Sequence, residues 1–145
     1  MRRVVLDTNI LVSAFLFFER GGVPVELLRK AQEGRFTLLS SHAMLDELEG
    51  VLTRNAVAQE RYGYTPQAAG AYRMLLETQA VLVDPEPPFP QVSRDPDDDL
   101  IAATALAANA DLLVTGDNDL LILGEHEGVR ILTRGGFSTS SERTA

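Results

Sequence analysis

Four separated stretches of the chain carry carboxylates where a fold could gather them. The apolar run Val4-Val5-Leu6 ends on Asp7-Thr8-Asn9, and Leu112-Leu113-Val114 ends on Thr115-Gly116-Asp117-Asn118-Asp119. Asp95-Pro96-Asp97-Asp98-Asp99 opens the small, apolar run Leu100 to Ala108, and Glu47 and Glu49 flank a stripe of Met44, Leu45, Leu48, Val51 and Leu52. Acids drawn together repel unless a cation neutralises them or some keep their protons, so convergence of these stretches implies magnesium or manganese, hard ions that prefer oxygen ligands and retain waters. A water held and polarised by such ions can attack phosphorus in line, with no protein nucleophile and no histidine.

The elements around these residues must do the gathering. Val4 to Leu6, Phe36 to Leu39, Val81 to Val83 and Leu112 to Val114 read as short buried strands, and Val129 to Leu132 as an edge strand. Between them lie helices. Ile10 to Phe18 is almost wholly apolar and stops at Gly21-Gly22; Pro24 starts a second helix that Gly34 ends; Ser40 and Ser41 signal the cap of a third, His42 to Thr53. Asn55 to Tyr64 is a short helix with a turn at Gly63, Thr65-Pro66 opens a helix through Thr78, and Asp84 to Pro96 is a proline-rich surface loop. Leu100 to Ala108 is a helix small enough to lie on the sheet, and Leu120 to Leu123 is a single turn. Alternating strands and helices predict an α/β fold, a three-layer α/β/α sandwich with a central, mainly parallel sheet of four to five short strands. In such a sheet Asp7 and Asp117 stand at carboxyl ends of strands, the edge where ligands bind.

Each acid also has a purely structural role to weigh. Asp95 before Pro96 suits a helix cap, Asp97, Asp98 and Asp99 suit the dipole of the same helix, and Asp117 suits an ordinary Gly-Asp-Asn turn. On about 100° per residue, Glu47 and Glu49 lie at the two margins of their stripe and Asp46 points away, and spacing does not choose between the two glutamates. Asp7 has the weakest structural alternative, since an acid directly after a buried strand is costly without a partner. His42 and His126 read as surface residues, and Tyr62, Tyr64 and Tyr72 as packing.

Composition narrows the chemistry. The 145 residues suit one domain, taken as residues 1–134, with a glycine-, serine- and threonine-rich tail over 135–145 expected to be disordered. Cysteine is absent, which excludes disulfides, thiolate zinc sites and cysteine nucleophiles, and two histidines leave little for a triad. The net charge of -8 counts against a polyanionic partner, although a bound cation would reverse the sign locally and the bases, Lys30 and twelve arginines, suit phosphate contact. Arg2 and Arg3 ahead of the run Ile10 to Phe18 imitate a secretory signal, but the run is short and lacks a small-residue cleavage pattern, so a cytoplasmic protein is expected. No stretch is long enough to span a membrane.

Val-Leu-Asp-Thr-Asn at 5–9, Leu-Asp-Glu-Leu-Glu-Gly-Val-Leu at 45–52, Asp-Pro-Asp-Asp-Asp-Leu-Ile-Ala-Ala at 95–103 and Leu-Val-Thr-Gly-Asp-Asn-Asp-Leu-Leu at 113–121 together resemble the PIN-domain family. In order and spacing they are similar to its bacterial and archaeal toxins of toxin–antitoxin pairs, related to VapC, over Val4 to about Leu132. The resemblance implies a magnesium- or manganese-dependent endoribonuclease. It carries the family acids onto Asp7, Glu47, Asp98 and Asp117 as catalytic metal ligands, with Asn9, Thr115 and Asp119 in support and Asp95 and Asp99 in reserve. Glu47 is preferred to Glu49 because the family acid precedes the leucine at 48. It further implies a homodimer, an RNA substrate and an antitoxin protein as partner. Two rivals stand beside it. A haloacid-dehalogenase-type phosphatase would want a second Asp where Asn9 stands, and a well-placed lysine. An inactive cation-binding interaction module would be expected to have lost one or more of the four acids.

Overall fold

A computed structural model describes residues 1–143. In chain order its elements are β1 (Arg3–Leu6), α1 (Thr8–Leu16), α2 (Val23–Gln32), β2 (Thr37–Ser40), α3 (His42–Arg54), α4 (Ala56–Tyr62), α5 (Pro66–Gln79), β3 (Val81–Leu82), α6 (Pro96–Ala107), β4 (Leu112–Val114), α7 (Asn118–Leu121), β5 (Glu125–His126), β6 (Val129–Leu132) and α8 (Arg134–Arg143). The six strands lie in the order β3-β2-β1-β4-β6-β5, all parallel except the β5–β6 pair.

Alternation along the central strand explains the layers. Val4 and Leu6 face one side, where they join Leu11, Leu28, Leu45, Leu48, Tyr72 and Leu76 from helices α1, α2, α3 and α5. Val5 faces the other side and joins Leu39, Leu113 and Ile131 with Ile101 and Ala105 of α6. Val4, Val5 and Leu6 are completely buried, as a parallel strand covered on both faces requires. Tyr72 reaches across the first layer to donate its hydroxyl to the Leu11 carbonyl at 2.7 Å, which ties α5 to α1.

Local signals set the helix starts. Ser41 caps α3 by accepting from the Met44 N–H, Thr65 caps α5 ahead of Pro66, and Asp95 caps α6 ahead of Pro96. Gly22, at φ 124°, occupies the turn before α2 in a conformation closed to most side chains.

Several expectations need correction. The sheet has six strands rather than four to five. Glu125–His126, too short and polar to show a strand pattern, folds back antiparallel on β6, so Val129–Leu132 is an inner strand and not an edge. Helix α6 begins at Pro96, a turn before the apolar run, because the cap at Asp95 sets its start. Val51, placed in the α3 stripe, is 36% exposed. The segment expected to be disordered from Gly135 forms α8. Its glycines and hydroxyls conceal one anchor, Phe137, which is 1% exposed and meets Phe36 edge-on at 5.3 Å between ring centres. The part of that expectation falling on residues 144 and 145 lies outside the described residues.

Connectivity also fixes where a site can form. From β1 the chain winds outward through β2 and β3, then returns to the other side of β1 as β4 and continues to β6. The direction of winding therefore reverses between β1 and β4, and a crevice opens beyond their carboxyl ends. The Asp7 N–H donates to the Val114 carbonyl at 2.9 Å at this point, so the strands are held together up to the residues that bear the acids.

Candidate metal centre

Asp7 leaves β1 and caps α1. Its Oδ1 accepts from the Asn9 N–H at 3.3 Å and its Oδ2 from the Thr115 hydroxyl at 2.6 Å, with only 3% of the residue exposed. Burial pushes this carboxyl above the ordinary carboxylate range; the Thr115 and Asn9 hydrogen bonds oppose the rise and the charge of Asp117 adds to it. Thr115, wholly buried after β4, also accepts from the Asp117 N–H at 3.0 Å. One hydroxyl thus fixes the spacing between the first acid and the last.

Asp117 caps α7, its Oδ1 accepting from the N–H groups of Asp119 and Leu120 at 2.8 and 3.3 Å. Asp98 projects from the first turn of α6, 3% exposed, and its Oδ2 accepts from the Ser93 hydroxyl at 2.7 Å. Burial pushes its carboxyl up to about 6 against the Ser93 hydrogen bond, with further repulsion from Asp117, Asp95 and Asp7. Asp95 caps the same helix by accepting from the Asp97 N–H at 2.9 Å. Carboxylate oxygens of Asp95, Asp98 and Asp117 all lie within 4.8 Å of one another.

Glu47 approaches from α3. Its carboxyl is pushed up to about 7, first by burial, then by Asp97, which it contacts, and by the charges of Asp7 and Asp95. Its Oε2 is buried without a hydrogen-bond partner. Glu49, left open beside it by spacing, instead accepts from Arg73 at 3.2 Å, alongside Asp46 and Glu77. The α3 stripe therefore turns one marginal glutamate toward the acids and the other toward a surface ion-pair network.

Of the residues singled out in the sequence, Asp98 and Asp117 meet at the crevice with Asp95, which is cap and neighbour at once, and Asp7 and Glu47 lie close enough for their charges to act on this group and on each other. Asn9 contributes its main-chain N–H, while the residue itself is exposed. Asp119 accepts from Arg94 at 3.3 Å on the rim. Asp99 turns away from the group: its Oδ1 accepts from the N–H groups of Val92 and Ser93 and holds down the loop before α6. Ser93 escaped the sequence reading, although Ser-Arg-Asp-Pro is the turn chemistry that would place a hydroxyl there. Asp97, which by sequence only suits the dipole of α6, also neighbours Glu47.

This donor set suits a hard divalent cation. All the converging groups are carboxylates, three of them have oxygens close enough to share one ion, and Glu47 presents an orphaned buried oxygen. Helices α1 and α6 both begin in this region, and their first N–H groups, taken up by the Asp7 and Asp95 caps, offset part of the mutual repulsion. Among the described residues no helix is long and apolar enough to cross a membrane. A family model described as PIN domain matches residues 3–119, from β1 to the first turn of α7, which includes every acid named above. Neither the curated proteins nor the solved structures contain a match to this chain.

Proposed function

The chain belongs to the PIN-domain family, whose members are generally metal-dependent nucleases, and from that premise we propose that it is a divalent-metal-dependent endoribonuclease. The observation that carries this reading is the meeting of Asp95, Asp98 and Asp117 within one ion's reach, with Asp7 and Glu47 beside them, at the switch point of the sheet. Magnesium or manganese is the cofactor the reading assigns, held by Asp7, Glu47, Asp98 and Asp117 with Asp95. When bound, the ion supplies a polarised water as nucleophile and neutralises charge on the phosphate.

The chain's own residues do the rest. Thr115 orients Asp7 and Asp117 through two hydrogen bonds, and Ser93 holds Asp98 by one oxygen. The order and spacing of the four motifs support a finer reading: a cytoplasmic toxin that acts as a homodimer on RNA and is restrained by an antitoxin protein. In it residues 1–134 form the nuclease domain.

The test is cleavage of labelled single-stranded RNA in manganese by the native protein, by an Asp98→Asn variant and in the presence of chelator. We expect cleavage by the native protein alone. Cleavage that survives both chelator and substitution refutes the reading, as does turnover of a small phosphomonoester with RNA left intact. Growth arrest on induced expression, abolished by Asp98→Asn, is the outcome the toxin reading requires.

A further inference from the structure

Helix α1 starts on Asp7, and its nine residues carry the chain about 13 Å. At its far end lies a cavity of about 590 Å³ between α1, the turn after it, α2, α4 and α5. The rim of this cavity is a ladder of rings and guanidinium groups. The Arg20 guanidinium sits over the Phe17 ring at 5.3 Å, Phe17 meets Tyr62 edge-on at 5.6 Å, and the Arg61 guanidinium sits over Tyr62 at 5.6 Å. Phe18 beside them is 69% exposed.

Two features of this rim point to an anionic, planar partner. Acids outnumber bases in the chain by 21 to 13, yet among the described residues neither Arg20 nor Arg61 makes an ion pair. Arginine stacked on an aromatic ring keeps its charge and its donors available to phosphate. An exposed phenylalanine next to such a pair offers a face on which a base can stack, and bases of any sequence accept that contact. Glu19 also lines the cavity and subtracts one charge, leaving the two guanidinium groups in excess.

We propose that this groove is a second holding site for single-stranded RNA. Bases stack on Phe18 and Tyr62, Arg20 and Arg61 take phosphates, and the strand continues a few nucleotides along α1 to the acids at its other end. The inference rests on the nuclease reading. It also answers the difficulty raised by the net charge of -8, since a protein this acidic must hold RNA through local basic features. An acidic peptide is the competing occupant, and the exposed ring beside the arginines and the link through α1 to the acids favour RNA.

The test is a fluorescence-anisotropy titration of the 145-residue chain with a labelled oligouridylate in chelator, so that binding is read without cleavage. Phe18→Ala is expected to weaken binding about tenfold or more. The double variant Arg20→Ala/Arg61→Ala is expected to lower the slope of log affinity against log salt by about 1.4, two phosphate contacts at about 0.7 each. All three side chains belong to exposed residues, so the fold should survive, and Arg29→Ala, an exposed residue paired with Glu26, serves as control. Native-like binding in both groove variants overturns the proposal, and so does tighter binding of an acidic peptide than of RNA. Cleavage in manganese is scored separately: groove-dependent binding without cleavage counts against the nuclease reading, and cleavage with groove-independent binding counts against the groove.

Discussion

Replacing Glu47 by glutamine should make the cation-free protein more stable at high pH. The Glu47 carboxyl is raised from an ordinary 4.5 to about 7, by burial and by Asp97, Asp7 and Asp95. Between those values the folded protein keeps a proton that the unfolded chain has released, so stability falls as pH rises through this window and the whole penalty is present above it. At about 1.4 kcal/mol per pH unit the gap sets a ceiling of about 3.5 kcal/mol. Glu47 is only partly buried, and solvent screening lowers the figure to about 1–2 kcal/mol. Glutamine has no proton to lose. In chelator at pH 8, Glu47→Gln should therefore melt about 3–6 °C above the native protein, and at pH 5 the difference should shrink to a small remainder. Saturating manganese should reverse the order. A ligand at about 100 times its Kd stabilises by about 2.7 kcal/mol, and the variant, with one ligand fewer, gains less. Melting curves at the two pH values, with and without manganese, give all the comparisons. An equal melting temperature in chelator at pH 8, or the same increment at both pH values, would refute the placement of Glu47 among the acids.

Two further substitutions separate roles that overlap in the structure. Asp95→Asn keeps the cap on α6, because asparagine caps as well as aspartate, and should leave stability unharmed while weakening manganese binding at least tenfold; Asp95→Ala should lose the same affinity and about 1 kcal/mol besides. Isothermal titration with urea unfolding reads both, and native affinity in Asp95→Asn would make Asp95 a cap alone. Phe137→Ala should cost about 3 kcal/mol in urea unfolding, since it empties a buried site against Phe36. A loss under about 1 kcal/mol would mean that α8 is not docked as described.

Most of the fold is visible in the residues, because strands buried on both faces and capped, amphipathic helices leave strong local patterns. Leu112–Val114 and the cap at Ser41 lie where the pattern puts them. What the pattern misses is decided by few residues or by distant ones. Strand β5 is two polar residues held by a neighbour, and α8 depends on a single aromatic among glycines and serines. The site shows the same division. Asp7 stands out because a buried strand ends on it, whereas Glu47 and Glu49 are equivalent by helical spacing, and only Arg73, 24 residues from Glu49 in sequence, distinguishes them. Ser93 acts through a turn of the chain that brings it back to Asp98, which no periodicity reports.

By sequence, capping and metal binding compete for the aspartates, and the topology makes the two roles compatible. Beyond the ends of β1 and β4, helices α1, α6 and α7 all begin, so each needs a side-chain oxygen for its first N–H groups at the point where a cation would sit. Asp7, Asp95 and Asp117 supply those caps. Each therefore faces N–H groups that favour its charge and draw it toward the crevice. Asp98 and Glu47 cap nothing, and their carboxyls are pushed to about 6 and about 7. These two carboxyls, with that of Asp7, which burial also raises, hold the protons that a divalent ion must displace, so affinity for the ion should fall as pH drops through 7 and then 6, while the caps keep the helices in place.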